Sequence, residues 1–271
     1  MLVCTLGDLL LDVVVALDRD LVSGDDVPAR TSIGAGGQAA NVAAWTAELG
    51  ARARFIGVRA DDDGGRLAAA ALHARGVELV GPATHAGGGV VVSIVGPGGE
   101  RTMASDRGGG ARLCGDELDP AWLECDHLHV SGYALAAEPM RTAAGRAVEL
   151  AREYGARVSV DVAAATLVEA IGVETFRALL AALAPDVVFC NDDEDRVAGG
   201  PVPGSVWVVK HGAGGASVDG ARLASKAAVR VVDTTGAGDA FAAGWIVGGI
   251  TLALEAAARC VAQLGAMPPT H

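Results

Sequence analysis

Residues 233–241 read Asp-Thr-Thr-Gly-Ala-Gly-Asp-Ala-Phe and pass straight into the apolar run 242–247. The β-rich stretch 229–232 precedes them, so strand, small-residue turn and helix follow one another without a loop. Open α/β sheets build their ligand edge from this unit. The first turn of a helix carries free backbone N–H groups and the positive end of the helix dipole, which together make an anion hole for a phosphoryl group. Gly236, Ala237 and Gly238 are small enough for the backbone to close on phosphate oxygens. Asp239 falls in the first helical turn, placed to take the proton of a substrate hydroxyl in a loose phosphoryl transfer. An Asp favoured there only by the helix dipole fits the residues as well.

Outward from that segment, short apolar runs alternate with Ala-rich helical stretches. Runs 2–6, 53–58, 127–130, 157–160, 186–190 and 206–209 read as buried strands. Helices are predicted over 38–49, 66–75 and 138–154, each stopped by a glycine at 50, 76 or 155. The alternation predicts an α/β fold, a doubly wound and mostly parallel sheet with helices on both faces, occupying 1–271 as one domain. Two stretches break the rhythm. Residues 12–33 show no helical period, and 90–95 and 100–105 flank a Gly-Pro-Gly-Gly turn as a β-hairpin. They predict a small discontinuous β-lid, formed by about 12–33 and 88–106, over the carboxyl edge of the sheet.

Composition narrows the function. With 33 acidic and 21 basic residues the formal charge is −12, which argues against nucleic acid as a partner. Only Lys210 and Lys226 are lysines, and neither stands in a Walker A loop. Nucleotide phosphates would have to be held another way. Five scattered cysteines suggest a reducing compartment, and the N-terminal apolar run, broken by Asp8 and Asp12, reads as neither signal peptide nor membrane span. A cytoplasmic location is expected.

Four further segments could carry chemistry. Asn191-Asp192-Asp193-Glu194 ends a strand, where Asn191 and Glu194 could hold Mg²⁺ through water or simply cap the next helix. Gly34-Ala35-Gly36-Gly37-Gln38-Ala39 opens a helix and matches G-x-G-x-x-A, with Asp61 at about the distance a dinucleotide fingerprint asks for. Asp12 interrupts Leu9-Leu10-Leu11 and Val13-Val14-Val15, costly unless it finds partners such as a diol. Gly212, Gly214 and Gly215 after a strand could approach a nucleotide or make a hairpin turn. Cys125, His127 and His129 lack a second ligand cluster and read as structural.

In this order the segments resemble the ribokinase, or phosphofructokinase-B (PfkB), family of carbohydrate kinases over nearly the whole chain. The resemblance implies that Asp12, Gly36, Gly37 and Asn41 contact sugar hydroxyls and that Arg107 lies on the substrate side. It implies Asn191, Lys210, Gly212, Gly214 and Gly215 on the nucleotide side, with Glu194 and Asn191 serving Mg²⁺ through water. Gly236, Ala237 and Gly238 would form the anion hole and Asp239 the catalytic base. Asp233 and Thr235, with Gly265, resemble part of the monovalent-cation site of some members, which adds K⁺ to ATP and Mg²⁺. The chain departs from the family at Gly108-Gly109-Gly110, where Gly-Ala-Asn is common.

The function expected is therefore ATP-dependent phosphorylation of a sugar or sugar-acid hydroxyl, with pairing of two chains through the lid as a further implication. Neither lid segment (9–35 and 82–112) contains Phe, Tyr or Trp, which disfavours a nucleobase unless a residue such as Tyr133 supplies the stacking face. Arg101 and Arg107 offer at most a pair of cations for a phosphosugar. A nucleoside kinase, a Rossmann-type NAD(P)-binding oxidoreductase and a non-catalytic sugar-binding regulator stay open as alternatives.

Overall fold

The computed structural model describes residues 1–98, 100–224 and 231–270. Lys226, Gly99 and the first half of the expected strand 229–232 lie outside them, while Val231 and Val232 are exposed and not in a strand. The strands are β1 (Leu2–Leu6), β2 (Leu10–Leu17), β3 (Ala29–Gly36), β4 (Arg52–Ile56), β5 (Arg59–Ala60), β6 (Val77–Val80), β7 (Ala83–Thr84), β8 (Gly89–Val95), β9 (Arg101–Asp106), β10 (His127–Ser131), β11 (Arg157–Asp161), β12 (Val187–Asn191), β13 (Val206–Lys210), β14 (Ala216–Val218) and β15 (Ala221–Leu223). The helices are α1 (Gln38–Glu48), α2 (Asp63–His73), α3 (Met140–Glu153), α4 (Ala165–Ile171), α5 (Val173–Leu183), α6 (Asp192–Ala198) and α7 (Ala237–Cys260).

Nine strands form the central sheet in the order β15-β14-β13-β12-β11-β10-β1-β4-β6. It is parallel from β13 to β6, and antiparallel only where β14 and β15 fold back at one edge. Alternate residues of each strand face opposite layers, as the pleat requires. Val188 and Cys190 pack with α3, α4 and α5, whereas Val187 and Phe189 pack with α1 and α7. The apolar runs of the sequence are thus covered on both faces. The helices expected at 38–49, 66–75 and 138–154 are present with ends shifted by up to three residues, and Gly50, Gly76 and Gly155 all take positive φ just past them.

A separate four-stranded sheet, β3-β2-β8-β9, is built from the two stretches that broke the helical rhythm. Strand β2 pairs antiparallel with β3 and parallel with β8, and β9 closes the far side antiparallel to β8. Gly34, Ala35 and Gly36 belong to β3 of this sheet, not to a turn following a central strand. That placement removes the dinucleotide fingerprint, which needs its glycines after the first buried parallel strand.

Helix α7 is long and apolar enough to cross a membrane by length and composition alone. Its helical geometry breaks at Gly248 and Gly249, and the chain turns back so that Gly244 packs against Ala253. The break falls just after residue 247, where the sequence pattern ended the helix, and the two arms pack on α1 and the sheet.

Candidate active site

The carboxyl edge of the parallel sheet collects one polar residue from each central strand. Asp8 follows β1, while Ser131, Asp161, Asn191 and Lys210 end β10, β11, β12 and β13. Each lies where an apolar strand leaves the core, so the backbone fixes the origin of the side chain on a rigid element. Helices α1 and α7 bring their N-termini to the same edge, and with them Asn41 and Asp239.

Asp239 is the centre of this group. Asn41 Nδ2 donates to its Oδ2 at 2.7 Å, joining α1 to α7 across 198 residues of sequence. Partial burial pushes the Asp239 pKa up to about 7, against the Asn41 hydrogen bond and with help from Asp161 and Glu194. A carboxyl near 7 is poised as a base at neutral pH. The turn before it holds Gly236 at φ 76°, and a side chain there would begin 2.6 Å from Ala266, so only glycine closes this corner.

Lys210 donates from Nζ to Asp161 Oδ2 at 2.6 Å. Burial opposes its charge, but the Asp161, Glu194 and Asp239 carboxylates outweigh that and push its pKa up to about 12. Glu194 is buried and raised to about 7, first by burial and then by Asp161. It completes a capping box: Asn191 Oδ1 accepts from Glu194 N at 2.9 Å, and Glu194 Oε2 accepts from Asn191 N at 2.8 Å. Asn191 Nδ2 adds a third bond to Glu194 Oε1 at 2.8 Å. The two residues therefore cap α6 and face the site together. Gly212, Gly214 and Gly215 make the turn between β13 and β14, beside Lys210.

On the other flank, Gly37 opens α1 at φ 101°, and a Cβ there would sit 2.2 Å from the Asp8 carbonyl oxygen. Asp12 in β2 packs over Gly36, where a Cβ would meet its own at 2.8 Å. Burial raises the Asp12 pKa to about 6, with Arg101 opposing and Asp233 adding to the rise. Arg107 is bonded to the buried Asp8 and lies over the Tyr133 ring, 3.6 Å from its centroid. Two buried acceptors here, Asp8 Oδ1 and Asn41 Oδ1, have no partner among the described residues. Asn41, expected as a sugar contact, thus uses its amide N–H on Asp239 and leaves its carbonyl oxygen for a ligand.

Arg101 and Arg107 do not form a pair. Arg101 reaches from β9 to Thr235 Oγ1 and stands 3.9 Å from Asp233 Oδ1. Asp233 Oδ1 also accepts from Thr235 N at 2.9 Å and Oγ1 at 2.6 Å, and its Oδ2 accepts from Gly265 N at 3.0 Å. The Thr235 carbonyl receives the Cys260 thiol at 3.2 Å. The Arg101 guanidinium, 3.9 Å from Asp233 Oδ1, would repel a monovalent cation placed at this set. Glu194 does fit magnesium: it is an oxygen donor beside two further carboxylates, suited to an ion that keeps most of its waters. Among the described residues no group of three or more Asp, Glu, His or Cys would hold a metal alone, so phosphate oxygens would have to complete the shell.

Comparison with known proteins settles the class. The model of the pfkB family carbohydrate kinases matches residues 1–268. The chain belongs to this family. It is a carbohydrate kinase, an enzyme that phosphorylates a sugar at the expense of ATP. An ATP-dependent ribose-1-phosphate kinase of Halopiger xanaduensis is 34% identical over 95% of this chain and 90% of its own length. A 5-dehydro-2-deoxygluconokinase of Shouchella clausii is 28% identical over 79% of this chain and 73% of its own. In fold the kinase is similar to adenosine kinase from Sinorhizobium meliloti (TM-score 0.85, 24% identity, 98% of this chain and 95% of that one). It is also similar to a structure described as Ribokinase II from E. coli in complex with ATP and Mg²⁺ (TM-score 0.82, 22% identity, 99% and 95%). The ribokinase-like doubly wound architecture expected from the sequence is the one present.

Three residues of the candidate site were not singled out from sequence: Asp8, Ser131 and Asp161. For Asp8 and Asp161 a signal existed. Each is an acidic residue directly following or ending an apolar strand, and every such position in a parallel sheet opens on the ligand edge.

Proposed function

We propose that this kinase transfers the γ-phosphoryl group of ATP to a hydroxyl of a small sugar, with Asp239 as general base. The observation that carries the reading is the Asn41–Asp239 hydrogen bond, which joins the sugar flank to the anion-hole helix at a carboxyl poised near neutrality. The sugar sits between Asp12 and the unpartnered Asn41 Oδ1, its reacting hydroxyl on Asp239. The amides of residues 236–238 receive the charge of the transferring group. Glu194, with Asn191 behind it, would hold magnesium through water. The ion neutralises phosphate charge when bound. The β3-β2-β8-β9 sheet serves as the lid that excludes water as a competing acceptor. Exposed Ile33 and Met103 on its edge strands support pairing of two chains through it.

Arg107 covers the Tyr133 ring and so occupies the aromatic face a nucleobase would need. This supports a plain sugar or sugar acid over a nucleoside. A second reading, a sugar already carrying phosphate, is favoured by the name of the Halopiger relative. ADP release, measured with Mg-ATP against ribose, ribose 1-phosphate, fructose, sugar acids and adenosine, separates these. A sugar-dependent rate is expected. ADP release with adenosine alone overturns the sugar reading.

A further inference from the structure

We infer that Lys210 is a catalytic residue that contacts the phosphoryl group in flight; the inference rests on the reading of Asp239 and residues 236–238 above. Two independent observations lead there. The ammonium gives one of its three N–H donors to Asp161 Oδ2 at 2.6 Å, and among the described residues no second acceptor is bonded to it. It also stands at the mouth of the anion-hole turn: a side chain on Gly238 would begin 3.1 Å from Nζ. The glycine that opens the backbone amides to an anion therefore opens them beside a fixed positive charge.

Asp161 makes that position rigid. Its Oδ1 accepts from Ala163 N at 3.0 Å while Oδ2 holds Lys210, so the carboxylate is locked at the end of β11 and aims the amine. The side chain of Lys210 is only 15% exposed, which keeps the ammonium from being dispersed by bulk water. In the reaction, the bond from the γ-phosphorus to the bridging oxygen of ADP breaks and the bond to the sugar oxygen forms. The hydroxyl proton passes to Asp239. Lys210 exchanges no proton and stays charged, offsetting the negative charge on the phosphoryl oxygens. The chain lacks a Walker lysine, but the fold delivers one to the equivalent chemistry from a different strand.

The competing explanation is that Lys210 only neutralises Asp161. Paired substitution separates the two. Lys210→Met should lower kcat by about 10²–10³-fold, the range for removing one oxyanion donor, with the sugar KM nearly unchanged. Asp161→Asn keeps the lysine and should lose less. The double variant Lys210→Met/Asp161→Asn removes the Asp161 charge together with its partner, so it replaces the single lysine variant in the assay should that variant fail to fold. It should stay as slow as Lys210→Met. It should also lose the thermal stabilisation given by Mg-ADP with fluoroaluminate and sugar, while keeping that given by Mg-ATP. Recovery of the double variant to within about tenfold of the parent kcat overturns the inference, as does a defect confined to the KM for ATP. Absence of sugar-dependent ADP release in the parent protein would instead sink the proposed function.

Discussion

Replacing Asn41 by Leu tests how the base is tuned. Asn41 Nδ2 donates to Asp239 Oδ2 at 2.7 Å, and this bond works against the burial that raises the carboxyl to about 7. A hydrogen bond to a charged group contributes about 1.5–3 kcal/mol, and 1.36 kcal/mol equals one pKa unit, so its loss should carry Asp239 to about 8–9. At pH 7 the ionised fraction would fall from about one half to between about a tenth and a hundredth, a loss of about 5–50-fold in kcat. At pH 9 most of that loss should vanish. The fold should tolerate the change, because Asn41 is nearly buried in α1 and its Oδ1 has no partner to lose. The assay is coupled ADP release at saturating sugar between pH 5.5 and 9.5, following the rising limb of kcat. A limb that stays near 7 while kcat drops equally at every pH would refute the reasoning, because the hydrogen bond would then not set the base.

Other expectations follow from the same geometry. Asp239→Asn should raise the thermal midpoint. The native carboxyl titrates near 7 instead of near 4, so the parent loses stability as pH climbs from about 4 to 7; the gain should be complete above about 7 and absent below about 4. Differential scanning calorimetry at pH 4 and 8 checks the sign. Gly37→Ala should cost several kcal/mol in urea unfolding, since the new methyl would stand 2.2 Å from the Asp8 carbonyl at a φ of 101°. A loss under about 1 kcal/mol would mean the N-terminus of α1 yields easily. Exchanging Na⁺ for K⁺ at constant ionic strength should change kcat by less than about twofold, because the Arg101 guanidinium already stands beside Asp233. Strong activation by K⁺ would show that this contact gives way.

The architecture was largely legible in the sequence because its signals are local. Strand β1 was placed residue for residue from one apolar run, and the helix stops at Gly50, Gly76 and Gly155 follow from positive φ next to an Ala-rich stretch. The two strand-like stretches in the first half declared a second sheet, though not that β2 would pair parallel with β8 across the intervening α1 and α2. Register between distant segments has no local signature.

Motif residues were legible for the same reason, but their partners were not. Asn41 and Asp239 were both singled out, yet nothing in the chain announces that 198 residues apart they share a hydrogen bond. Lys210 was assigned to the nucleotide side by its neighbours in sequence, whereas its partner Asp161 lies two strands away. Arg101 and Arg107 looked like one cationic pair because they are six positions apart, but they leave β9 toward different partners, Thr235 and Asp8. Charge pairing is set by where strands end, and only the assembled sheet shows that.

The central claim is that Asp239 takes the proton of the sugar hydroxyl. It is tested most directly by Asp239→Asn, whose amide keeps the shape of the carboxylate and cannot act as the base. Turnover and sugar binding should be measured on the same preparation, by ADP release and by calorimetric titration with the sugar that supports the highest rate. The account predicts a fall in kcat of about 10²–10⁴-fold, the range for general-base catalysis, with the affinity for sugar and Mg-ATP within a few-fold of the parent. Turnover within about tenfold of the parent, with binding intact, would contradict it.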